Sequence, residues 1–282
     1  MAVNIRYLKD QLGILLLWTC GALTLGIMLM ITLYILWNGL PIISLGFLSA
    51  DPIQGGKSGG IFPTIVATLF ITIIALILSA PLSIGGAIYM AEYAGENTLT
   101  RLVRFGADSL AGIPSIIIGL FGYLLFVSYT KLGFSLISGS LAVAFMAMPI
   151  ILRVSEEAIK VVPESYKHGS LAIGATKWQT IRKVVLPTAI PGIITGLMLG
   201  MGRVVGETAV FLLTTGSVAQ IPTSLSSAVR PMTVHMYIIA TENISLPYAF
   251  GTAATLLIIV LIITLTSNYI TRRYFVKLGG RR

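Results

Sequence analysis

Arg203 and Glu207 stand four residues apart inside the apolar run from Ile190 to Leu213. At about 100° per helical residue, that spacing places them on neighbouring positions of one face, where a guanidinium and a carboxylate can pair. Ionisable groups at membrane depth cost on the order of a few kcal/mol and normally face protein or a water-filled cavity. Gly192, Gly196 and Gly200 continue the same face, and the five positions span an arc of about 80°. Two readings stand. The face is a glycine seam for close helix packing with its charges neutralised inside the bundle, or it lines a solute path. On the second reading, Arg203 offers fork-like donors to an anion and Glu207 holds the anion or tunes its charge. In another apolar run, Pro114 within Gly112-Ile113-Pro114-Ser115 frees a backbone carbonyl and permits a kink, which serves a pathway or packing equally.

Other residue types that could do chemistry lack partners at workable spacing. Gly56-Lys57-Ser58 has the tail of a phosphate-cradling loop, but Asp51 occupies the position of the required first glycine. Nucleotide binding therefore belongs to another chain, if ATP drives anything. Glu156 and Glu157, followed by Lys160, read as a solvated helical face with local ion pairing rather than a catalytic pair. Arg104 and Asp108, again four apart, read as an interfacial salt bridge. The lone cysteine, Cys20, excludes an internal disulfide or thiolate cage and reads as a packing residue. No catalytic cluster emerges, so the chain is read as a non-enzyme with no cofactor or metal of its own.

The elements that must position these residues follow from composition. Of 282 residues, 56% are hydrophobic and 10% charged, with a mean hydropathy of +0.93; a soluble domain carries about a quarter charged residues. A soluble fold is excluded. Crossing about 30 Å of hydrocarbon takes about 20 apolar residues as helix, and six runs qualify: 12–37, 61–91, 105–129, 134–152, 190–213 and 249–270. They lack the alternation of a membrane barrel, so the fold class is all-α, a polytopic membrane protein with one transmembrane domain over residues 1–282. The first run is too long for a signal peptide and no cleavage site follows it, so it is expected to stay attached.

Six spans place both termini on one side. Fifteen of the 19 Lys and Arg, from Arg6 and Lys9 to Arg281 and Arg282, fall on that side, against Lys57, Lys131 and Arg230 on the other. The distribution predicts cytoplasmic termini in a prokaryotic cell membrane. The net charge of +9 is then mostly an orientation marker and not a nucleic-acid footprint; Arg203 alone falls in neither loop set. His168 and His235 lie on opposite sides by this topology and cannot share a metal; each reads as a loop or surface residue. The segment 153–187, broken by Pro163, Gly169 and Gly174, reads as short amphipathic cytoplasmic helices with a turn between them. The outer segment from Thr214 to Tyr248, with Pro222, Pro231 and Pro247, is expected to fold partly back toward the membrane.

That cytoplasmic segment resembles the coupling segment of permease subunits of binding-protein-dependent ABC importers. Their pattern runs Glu-Ala-Ala, three residues, Gly, nine residues, Ile, one residue, Leu-Pro. Here Gly174 is followed after nine residues by Val184, then Val185, Leu186 and Pro187, while His168-Gly169-Ser170 replaces Glu-Ala-Ala. Within the superfamily the chain is similar to phosphate-specific, PstA-type permeases. The likeness is carried by Gly59-Gly60-Ile61-Phe62-Pro63, Ala91-Glu92-Tyr93, Gly112-Ile113-Pro114-Ser115, the stretch from Leu171 to Trp178, and Arg203-Val204-Val205-Gly206-Glu207-Thr208-Ala209. The last is the most specific.

The resemblance implies a type I importer permease fold and a heterodimer with a homologous PstC-type permease. It also implies two copies of a PstB-type ATPase that carry ATP and magnesium, and an external PstS-type phosphate-binding protein. Gly174, Ala175, Thr176, Leu186 and Pro187 would seat the coupling helix in the ATPase, and Arg203 with Glu207 would line the path. Permeases for sulfate or molybdate, and a membrane-embedded non-transport subunit, are the alternatives.

Overall fold

A computed structural model describes residues 2–95 and 97–279. Arg281 and Arg282, counted above among the orientation markers, lie outside the described residues, as do the side chains of Arg6, Arg272 and Lys277. In chain order the elements are α1 (Ala2–Gly39), α2 (Leu45–Ser49), strands β1 (Pro52–Ile53) and β2 (Ser58–Gly59), and α3 (Phe62–Ile88). Then come α4 (Thr98–Gly112), α5 (Ser115–Gly122), α6 (Leu136–Lys160), α7 (Glu164–Ala172) and α8 (Lys177–Thr180). The chain ends with α9 (Leu186–Val205), α10 (Ala209–Thr214), α11 (Met232–Thr241) and α12 (Leu246–Gly279). Wide π-type turns extend three of these at Tyr89–Tyr93, Tyr123–Tyr129 and Ile181–Val185.

Among the described residues, five helical stretches are long and apolar enough to cross a membrane: Lys9–Ile42, Phe62–Tyr93, Leu136–Lys160, Lys177–Val205 and Leu246–Thr271. The expected third span, 105–129, is a bent pair of helices. Thr98–Gly112 meets Ser115–Tyr129 at a bend of 103°, and the two together pass the same test, giving six spans if the pair is counted as one. Pro114 lacks an amide hydrogen and disfavours helical backbone at the residue before it, and Ile113 is extended at φ −72°, ψ 132°. Pro114 thus does more than kink a span; it ends α4 and starts α5.

The core is built where small residues let helices approach. Ala67, Ile71 and Ala75 of α3 meet Ala142, Val143, Ala147 and Ile151 of α6 in one buried cluster that also takes in Val210 and Phe211 of α10. The Ser83 hydroxyl donates across the same interface to the Met148 carbonyl at 3.1 Å. Helix α1 is exposed along most of its length and touches the bundle at its C-terminal end, where the Tyr34 and Phe250 rings meet edge to face at 5.7 Å. As expected, the segment after α10 returns to the bundle. The Met232 amide donates to Thr68 Oγ1 at 2.9 Å and Thr233 Oγ1 donates to the Glu207 carbonyl at 2.6 Å.

Ion pairs gather at the end of the bundle rich in cations, and two expectations change there. Arg104 pairs not with Asp108 but with Glu156, at 2.7 Å from Nη2, while Asp108 meets Arg153 at 3.1 Å. Helix α4, before the bend, packs on α6, so a partner from that helix is nearer than the neighbour on its own. Glu156 is 2% exposed rather than on a solvated face, and Lys160 adds the local pair at 2.7 Å. His235 is likewise no surface residue: it is fully buried in α11.

Candidate functional site

Helix α9 places Arg203 near its C-terminal end, but the helix stops at Val205. Gly206 and Glu207 form the break before α10, and the Glu207 amide donates back to the Val204 carbonyl at 3.2 Å. Among the described residues no ion pair joins Arg203 to Glu207. Arg203 is exposed, whereas Glu207 is 6% exposed and its carboxylate accepts from the Val210 amide at 3.4 Å. The expected pairing on one face fails because the helix that would have carried it ends two residues after the arginine. Glu207 caps a break instead of lining an open surface.

The glycines divide cleanly. A Cβ on Gly192 would collide with Ala158, one on Gly196 would lie 3.2 Å from Val154 Cβ, and one on Gly200 would lie 2.6 Å from Ile151 Cγ1. Gly192, Gly196 and Gly200 therefore form the seam that seats α9 on α6, so they serve packing and not path lining. The exposed side of α9 is a neighbouring stripe: Thr188, Thr195, Leu199, Gly202 and Arg203. Open space surrounds a Cβ built at Gly202. The threonines spend their hydroxyls on their own helix, Thr188 donating to the Val184 carbonyl at 2.7 Å and Thr195 to the Pro191 carbonyl at 2.9 Å. Arg203 is thus the side chain on this stripe able to hold an anion, through its guanidinium donors. Sequence periodicity found the arginine but not the stripe, because the wheel puts glycine seam and stripe side by side.

At the opposite end, α7 and α8 form the expected helix-turn-helix. Gly174 takes φ +87°, a conformation that favours glycine, and Thr176 starts α8 with a full capping box in which the Thr176 amide donates to Gln179 Oε1 at 2.9 Å. Around this turn Ile173 is 86% exposed and Trp178 54%, an apolar knob with no cover among the described residues. Leu186 and Pro187 do not close the segment as expected. They lie inside the continuous stretch Lys177–Val205, where Pro187 at the first turn of α9 follows the wide turn Ile181–Val185 that absorbs its missing donor.

Lys167 of α7 joins this end to the second span, with Nζ 2.8 Å from Glu92 Oε1 and 3.0 Å from Glu164 Oε1. Burial alone would lower the lysine pKa, but the hydrogen bonds and charges of Glu92 and Glu164 outweigh it and hold it above its ordinary value. The hydrogen bond from Lys167 in turn lowers the Glu164 carboxyl. His168, in the place of the usual acidic residue, is exposed on α7.

Residues 83–276 match the family described as binding-protein-dependent transport system inner membrane component. The chain belongs to this family. It is a multi-span inner-membrane permease subunit of an ABC importer, a class in which the ATPase is a separate subunit. A probable ABC transporter permease protein, YqgI of Bacillus subtilis, is 32% identical over 97% of this chain and 98% of its own length. The phosphate transport system permease protein PstA 1 of Mycobacterium tuberculosis is 33% identical over 76% of this chain and 71% of its own. Among solved structures, a bacterial alginate ABC transporter with its substrate-bound periplasmic protein superposes with a TM-score of 0.63 at 18% identity, over 91% of this chain and 94% of that one. The inward-facing MetNI methionine transporter gives 0.60 at 21% identity, over 76% and 94%. The shared fold is that of type I ABC importer permeases.

Proposed function

We propose that this permease carries inorganic phosphate inward, that its Arg203 stripe forms half of the path, and that Gly174 and the apolar knob beside it engage the ATPase. The observation that carries the reading is Arg203, an exposed cation close to the end of a membrane helix, on a face shared with Thr188, Thr195, Leu199 and Gly202. Phosphate is favoured over other oxyanions by the likeness to PstA permeases across the stretch from Arg203 to Ala209. A PstC-type permease would supply the other half of the path, two PstB-type ATPases would bind ATP and magnesium, and a PstS-type protein would deliver phosphate from outside. Both termini, by the distribution of cations, are cytoplasmic.

On this reading ATP binding closes the ATPase dimer and moves the helix-turn-helix. Because Lys177–Val205 is continuous, displacement of the turn is delivered as a rigid-body motion to Arg203 at the far end. The anion is held weakly there, since a site that must release its ion cannot bind it tightly. Phosphate uptake by vesicles holding the assembled transporter, with sulfate or molybdate as competitor, tests the assignment. Uptake insensitive to excess sulfate is the expected outcome; sulfate uptake in its place would move the chain to the other oxyanion class.

A further inference from the structure

We propose that Glu92 and Tyr93, at the end of the second span, are positioning residues that tie this span to both arms of the helix-turn-helix around Gly174. The coupling stroke would then reach the second span directly as well as the fifth. The inference rests on the coupling role just assigned to that turn.

Two adjacent residues make the two ties. Glu92 Oε1 forms an ion pair with Lys167 Nζ, in the arm before the turn, at 2.8 Å, and the Tyr93 ring lies 4.7 Å beneath the Lys177 ammonium in the arm after it. The Glu92 and Lys167 side chains are 8% and 13% exposed, whereas the second acid on the lysine, Glu164, is 68% exposed. Attraction is stronger where water is excluded, so Glu92 is the partner that fixes Lys167. A cation over an aromatic face adds a second, weaker attraction. The wide turn Tyr89–Tyr93 carries both residues at the end of α3, and such turns re-aim side chains within a helix. Between the arms themselves, the Ser170 and Thr180 hydroxyls lie 2.9 Å apart.

Both ties border a cavity of about 400 Å³, lined in part by Glu92, Lys167, Leu171, Lys177 and Ile181. Beside it the span packs on the fifth through an apolar cluster that includes Ala87, Ala91, Val185 and Leu186, so removing one polar side chain should loosen the tie to the arms while that cluster stays packed. Fifth-span coupling is covalent, through α8 into α9; second-span coupling depends on side chains.

The test uses the assembled transporter in liposomes with inorganic phosphate as the probe, measuring uptake and ATP hydrolysis in the same vesicles and ATPase retention on purification. For Glu92→Gln and for Lys167→Met, anion moved per ATP is expected to fall about tenfold, within the usual range of coupling between sites, with the ATPase subunits still bound. The exchanged pair Glu92→Lys with Lys167→Glu is expected to regain most of that ratio. An unchanged ratio in either single variant, or uptake and hydrolysis falling in proportion, would overturn the proposal, as would an exchanged pair no better than the singles. If the unmodified transporter hydrolyses ATP and moves another anion but no phosphate, the ratio is taken on that anion and only the phosphate assignment fails.

Discussion

Gly200 and Arg203 lie less than one helical turn apart and do opposite jobs. Gly200 is defined by what it lacks: a Cβ there would press on Ile151, and one at Gly192 on Ala158. Overpacking such a contact costs about 1–3 kcal/mol, so Gly200→Val is expected to lower the melting temperature of the detergent-solubilised permease, and Gly202→Val, in open space, to leave it in place. Equal shifts at the two positions would contradict the assignment of seam and stripe. Arg203 was visible in the sequence because a cation in an apolar run is costly. Its separation from Glu207 was not visible. Periodicity continues through Gly206, whereas the chain leaves the helix there and Glu207 turns to the Val210 amide. The tie between Glu92 and Lys167 was also hidden, since the two are 75 positions apart and only the folded bundle brings them within 2.8 Å.

At the scale of elements, long apolar helices were legible because length and hydropathy alone decide them; five stretches pass that test among the described residues. The elements that were misread are those set by backbone and tertiary contact: the 103° turn at Pro114 and the merging of α8 with α9 through a π-type turn. Helix α11 is a third case, since nothing in its sequence announces that His235 is fully buried. Among the described residues neither ring nitrogen of His235 has a hydrogen-bond partner, and the hairpin of β1 and β2 lies over the ring, where a Cβ on Gly56 would come within 2.8 Å of Cε1. Burial, with a smaller contribution from Arg230, lowers the His235 pKa from 6.5 to about 4. Unfolded His235 binds its proton as pH falls below 6.5, and folded His235 does so only near 4. Stability is therefore complete above 6.5 and declines between these values, by up to about 3 kcal/mol for such a shift. Protection factors of the amides in α11 and residues 52–59, taken relative to the intrinsic exchange rate at each pH, are expected to fall from pH 7 to pH 4.5, and less so in His235→Phe; protection factors independent of pH would contradict this.

At the scale of the whole molecule, one continuous helical stretch, Lys177–Val205, joins the end proposed to dock the ATPase to the end proposed to meet the solute. Ile173 and Trp178 at the docking end are the side chains expected to carry ATPase contact. Ile173→Asp combined with Trp178→Asp should reduce co-purified ATPase about tenfold or more, equivalent to about 1.4 kcal/mol or more of binding; full retention would place the contact elsewhere. With only 10% of its residues charged, the chain places few ionisable groups at membrane depth, which makes Arg203 conspicuous there. The central claim is that Arg203 lies on a phosphate path. Its most direct test is phosphate uptake by vesicles holding the assembled transporter with Arg203 or with Arg203→Gln. Losing a charge-assisted contact is worth about 2–3 kcal/mol, or about 30- to 150-fold. A loss of that size is expected, with the complex still assembled and hydrolysing ATP; uptake by the Arg203→Gln transporter at the unmodified rate would contradict a place for Arg203 on the path.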